Sequence, residues 1–160
     1  MFADPLTDRI AAFIAGIGLA IQPATLDEPT LLPGVTVRGG VILVDEARLA
    51  YPGDLLHEAG HLAVWEPDRR ATLDEVDDDG SREMTVIAWS YAALRHLDLD
   101  PAVVFHEGGY RGASPTLIAV FEGDGLCGQP MLEWYGLTLT RKTAAARGQP
   151  PFPHMLRWLR

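Results

Sequence analysis

The stretch from Arg82 to Leu97 constrains the fold more than any other part of the chain. Read as a helix, it is apolar nearly all round, with Val86, Ile87, Ala88, Trp89, Tyr91, Ala92, Ala93 and Leu94 interrupted only by Ser90. A helix without a polar face is buried on every side. The remaining elements must therefore pack around it. With 160 residues and 48% hydrophobic content, the chain has enough material for one such core.

The wrapping elements have their own signals. Asp4-Pro5 can open a helix, with proline in its first turn. Ile10, Phe13, Ile14 and Ile17 then recur at helical spacing until Gly16 and Gly18 end the pattern, and a strand follows. Val35 to Arg38 and Val41 to Val44 flank Gly39-Gly40, the pattern of a tight β-hairpin. Asp54 to Glu66 reads as a helix stopped by Pro67. An acidic loop follows, with Asp74, Glu75, Asp77, Asp78 and Asp79. After the apolar helix, Asp100-Pro101 should open a short helix ending at Gly108-Gly109, and Ser114 should cap another running to Glu122. Two more helices are expected over 130–136 and 140–147. The expected fold is α+β: a mainly helical domain over residues 1–160 with a small antiparallel sheet. A Pro-rich link at 149–153 leads into an amphipathic tail, expected to dock on the domain or on a second chain. Trp65, Trp89, Tyr91, Trp134 and Trp158 are expected in the core.

Charge and composition exclude some classes. The formal charge of −9 argues against a nucleic-acid surface, which needs a clustered basic face. The apolar run from Ile10 to Ile21 is shorter than the ~20 residues that span a bilayer, so no membrane partner is expected. Asp4 and Asp8 precede it where a secretory signal would carry positive charge. Cys127 is the only cysteine, so no internal disulfide calls for an oxidising compartment. The expected location is cytoplasmic. The sequence is silent on oligomeric state.

The chemistry concentrates in His57-Glu58-Ala59-Gly60-His61. Residues four apart share one face of a helix, so His57 and His61 project together. Two imidazoles so placed can share one zinc ion at Zn–N distances of ~2.0–2.1 Å. With five histidines and nine glutamates in 160 residues, such a motif arises by chance about once per hundred sequences of this composition. Gly60 inside the helix costs about 1 kcal/mol relative to alanine, which a close approach of backbone would explain.

The segment Leu55-Leu56-His57-Glu58-Ala59-Gly60-His61-Leu62-Ala63 resembles the active-site helix of zincin metallopeptidases. The order of helix, hairpin, this helix and a second helix bearing an acid is similar to compact intracellular ImmA/IrrE-type zincins. In layout the resemblance covers residues 5 to 97, and its specific part is 55–63. It implies that Zn2+ is held by His57 and His61, and that Glu58 is no ligand but a base taking the proton of the attacking water. The metzincin pattern would place glycine and histidine where Val64 and Pro67 stand, so that class is excluded. In glutamate-zincins the third ligand comes from a following helix, which points to Glu83, 22 residues after His61. Asp79, Glu75, His96 and His106 are the competitors. The thermolysin pattern has asparagine before this glutamate and aspartate four after; here those residues are Arg82 and Ile87.

In zincin peptidases a histidine or tyrosine often hydrogen-bonds the oxyanion. His106 or Tyr110, on the glycine-rich segment His106-Glu107-Gly108-Gly109-Tyr110, is the candidate for that role. The function so implied is a zinc-dependent peptidase acting on a peptide or protein, with the hairpin offering a strand edge to an extended substrate. The alternative is a non-catalytic zinc-binding regulatory or interaction protein on the same fold. A fourth protein ligand would favour that alternative.

Overall fold

The computed structural model describes residues 1–74, 80–123 and 125–160. The acidic run at 75–79 lies outside them, and with it the competing ligands Glu75 and Asp79 and the expected loop residues Asp77 and Asp78. Helix α1 (Pro5–Gly16) starts as expected: Asp4 caps it, accepting from the Thr7 amide at 2.7 Å, with Pro5 in the first turn. Strand β1 (Ala20–Pro23) follows, then β2 (Val35–Arg38) and β3 (Val41–Val44), with Gly39 and Gly40 at φ of 54° and 72° making the tight turn. Positive φ at both turn positions is what a two-residue hairpin loop demands.

The sheet order is β1-β3-β2. Strands β2 and β3 pair antiparallel, Val35 opposite Val44 and Arg38 opposite Val41, whereas β1 pairs parallel to β3, Ala20 opposite Val41. The sheet is therefore mixed rather than purely antiparallel. A hairpin saturates one edge of β3 through a local turn. Its other edge is filled by a strand from before the hairpin, a non-local pairing with no local sequence signal.

Helix α2 (Asp54–Ala63) carries the histidine pair, and α3 (Pro67–Arg70) is a single turn. Pro67 does not stop α2, which ends four residues earlier, at Ala63. It opens α3, where a missing N–H costs nothing. Helix α4 (Gly80–His96) is the apolar segment, and every residue from Thr85 to Leu94 is buried. It runs against α2, with α1 and the sheet beyond. The expected helix from Pro101 to Gly108 reduces to one 3-10 turn, Pro101–Val103. Val104, Phe105 and His106 all turn inward, and the backbone lies so close to the start of α2 that a methyl on Gly53 would meet the Val103 carbonyl oxygen at 1.9 Å.

Helices α5 (Ser114–Glu122), α6 (Gln129–Trp134) and α7 (Arg141–Arg147) follow. Ser114 is not the cap of α5: Ala113 holds that position, and the Ser114 hydroxyl donates instead to the His106 carbonyl at 2.8 Å. Trp89 and Tyr91 are buried and Trp65 and Trp158 half-buried, but Trp134 stands 81% exposed at the end of α6, outside the core. The tail docks on its own domain. Trp89 Nε1 donates to the Trp158 carbonyl, the Trp158 ring meets Phe13 edge-on at 5.0 Å, and the Arg160 amide donates to the Ala63 carbonyl at the end of α2. No helix of the described residues is long and apolar enough to cross a membrane.

Candidate metal centre

The α2–α4 packing builds the centre. Gly60 allows it: a Cβ there would stand 3.0 Å from Val86 Cγ1 and 3.3 Å from both the Trp89 ring and the Val86 carbonyl. The backbone approach that would explain a glycine inside the helix is thus that of α4. At this separation the first turn of α4 brings Glu83 over the histidine pair. His57 Nε2 and His61 Nε2 lie 3.1 Å apart, and Glu83 reaches them at 3.6 Å and 3.4 Å with its two oxygens.

One donor atom from each of these residues fits within 4.8 Å of the others. Ligands at ~2.0–2.2 Å around a tetrahedral ion stand roughly 3.3–3.5 Å apart, so the spacing suits a small cation. His61 and Glu83 carry 7% and 28% side-chain exposure, which leaves the approach from the Glu83 side open. Among the described residues no fourth donor joins the group.

The electrostatics match. Burial, then repulsion from His61, holds the His57 imidazole down at about 4 despite the opposing pull of Glu83, so it is the neutral species a metal needs. Burial would raise the Glu83 carboxyl, but the hydrogen bond from His61 and its electrostatic coupling to the two imidazoles outweigh it and hold it below the usual carboxylate range. Burial pushes Glu58 up to about 7, and its Oε2 is buried without a hydrogen-bond partner. Glu58 also feels the negative charges of Asp54 and Glu83, and a cation offsets the cost of burying carboxylates close together.

The remaining predicted residues separate. Tyr110 closes over the centre, its hydroxyl 3.2 Å from His57 Nδ1. His106 does not face the donors: its Nε2 lies 2.9 Å from Asp54 Oδ1, and its ring stacks on Tyr51 at 3.6 Å. His96 is away from the centre, against Phe13 and Trp158 at the far end of α4. Asp54 and Tyr51 escaped the sequence reading. Asp54 stands one helical turn before Glu58, on the face that carries it, and that spacing was the available signal. Tyr51 precedes the helix and had none.

A cavity of about 350 Å³ opens over His57, Glu83, Asp54 and Tyr110, walled by Leu31, Leu32 and Arg111. A second, of about 280 Å³, runs along β2 between Glu58, Asp74 and the segment from Glu28 to Leu32. Leu31 and Leu32 border both. No family model, curated relative or solved structure matches the chain.

Proposed function

We propose that this protein is a zinc-dependent hydrolase acting on a peptide or protein, with His57, His61 and Glu83 holding the metal and Glu58 serving as base. The observation that carries the proposal is the convergence of these three donors beside a buried carboxylate oxygen with no partner. When bound, zinc supplies Lewis acidity toward a carbonyl oxygen and toward water.

The chain's own residues do the rest. Glu58 Oε2 takes the proton of the attacking water and returns it to the leaving amine nitrogen, so the carboxylate is regenerated each turnover. Leu31, with 95% of its surface exposed, and Leu32 flank the approach and offer apolar contact to a substrate side chain. Strand β2 is an edge of the sheet, and the cavity beside it reaches Glu58, so an extended peptide added along β2 would bring a carbonyl group to the centre. Three donors with an exposed side suit a catalytic rather than a structural site, which favours the hydrolase over the non-catalytic alternative.

The test is Glu58→Gln against wild type. Metal content by elemental analysis should be unchanged at one zinc per chain. Cleavage of an unstructured peptide library, followed by mass spectrometry, should fall by about 10²–10⁴-fold. Equal cleavage by the two proteins refutes the base assignment, and wild type without metal refutes the centre.

A further inference from the structure

An imidazole has two ring nitrogens, and the one not facing a metal decides how firmly the other is aimed. His57 turns Nε2 toward His61 and Glu83 and Nδ1 away from them, toward Tyr110. The position where the thermolysin pattern has aspartate is Ile87, a buried aliphatic residue that offers no acceptor. A partner for Nδ1 must come from another element. We propose that Tyr110 is a positioning residue for His57: its hydroxyl oxygen accepts the Nδ1–H and thereby holds the Nε2 lone pair toward the metal position. The role rests on the zinc assignment of His57 above.

Three observations support it. A ligating imidazole is neutral with bare Nε2, so its proton sits on Nδ1, and at 3.2 Å the Tyr110 oxygen is placed to receive it. The two rings stand nearly perpendicular, at 78° with centroids 5.8 Å apart, so the hydroxyl rather than the ring face meets the imidazole. The backbone is the third. Tyr110 and Arg111 adopt φ of 54° and 52°, a left-handed conformation uncommon in residues with a side chain. Such conformations persist where the surroundings over-determine them, and they cluster at functional sites. Here the unfavoured turn is what sets the Tyr110 hydroxyl over His57.

Tyr110→Phe removes the oxygen and leaves the ring. Zinc affinity of the full chain, measured by competition with a chromophoric chelator, should weaken by about 10–100-fold, or about 1.4–2.7 kcal/mol. The metal-free unfolding midpoint should stay near the wild-type value, which shows that the variant folds. In ¹⁵N-histidine NMR of zinc-loaded wild type, His57 should show a slowly exchanging Nδ1–H that shifts or disappears in Tyr110→Phe while the His61 signals stay put. Unchanged zinc affinity in Tyr110→Phe, or a wild-type His57 with no proton on Nδ1, overturns the positioning role and leaves the zinc assignment standing. Wild type that takes up no zinc overturns both.

Discussion

Glu58 and His57 are neighbours whose protonation is displaced in opposite directions, and the metal-free protein should register both. The folded state holds the Glu58 carboxyl at about 7 against an ordinary 4.5, so folding favours its protonated form. That contribution is complete below about pH 4.5 and is lost as pH rises through 7. His57 is held at about 4 against 6.5, so its contribution is complete above pH 6.5 and is lost as pH falls through 4. Between about 4.5 and 6.5 the folded chain carries one proton on Glu58 and the unfolded chain one on His57, so their joint effect on stability is nearly flat. Above that window only the Glu58 loss remains. Metal-free Glu58→Gln, a neutral isostere, should therefore match wild type near the acid end and exceed it above pH 7, by on the order of 3 kcal/mol. Urea midpoints measured across pH check this, and a difference independent of pH would contradict it. At this scale the histidine pair was legible in the sequence because helical spacing alone puts its members together, and Glu58 was singled out by the resemblance of its segment to a zincin helix. The Asp54–His106 pair was not, because its members are 52 residues apart and meet only when the loop folds back onto α2.

The α2–α4 contact is the element on which the centre depends. Thr85 to Leu94 are buried without a break, as a helix with no polar face requires, and that much followed from the pattern of residues 82–97. Glycine at position 60 follows from the crossing. Gly60→Ala would gain helix propensity of about 1 kcal/mol. It would also press a methyl against Val86 and Trp89, both fully buried and unable to retreat, at an overpacking cost of about 1–3 kcal/mol. The net expectation is a loss of about 1 kcal/mol, or a melting temperature lower by about 2–4 °C, together with weaker zinc binding as Glu83 is pushed off the histidines. A stabilised Gly60→Ala with unchanged metal affinity would show that the crossing tolerates displacement. The hairpin was equally legible, since two β-rich runs around Gly39-Gly40 admit little else. The parallel partner β1 and the collapse of the expected helix after Pro101 were not, because both depend on what lies opposite.

Taken as a whole, the molecule closes on itself through its last residues. Arg70 donates to the Trp65 and Arg160 carbonyls, Arg160 pairs with Glu66 and lies over the Tyr135 ring, and Trp158 fills the space between Phe13, Trp89 and His96. The tail therefore braces the C-terminal end of α2, opposite the end that carries Asp54 and His57. Trp158→Ala should cost about 2–3 kcal/mol, less than a fully buried tryptophan because the ring is half-buried, and deleting residues 150–160 should cost more. Calorimetry measures both, and a deletion that leaves the melting temperature unchanged would show that the tail is not part of the fold.

By itself the sequence determined the α+β class, the central apolar helix, the hairpin and the shared face of His57 and His61, because each depends on spacing along one stretch of chain. Only the tertiary structure decided that Glu83 stands over those histidines, that Tyr110 rather than a residue of α4 meets His57 Nδ1, and that His106 turns to Asp54. These are meetings of distant segments, and they depend on how closely helices cross and how loops return, which no local period encodes.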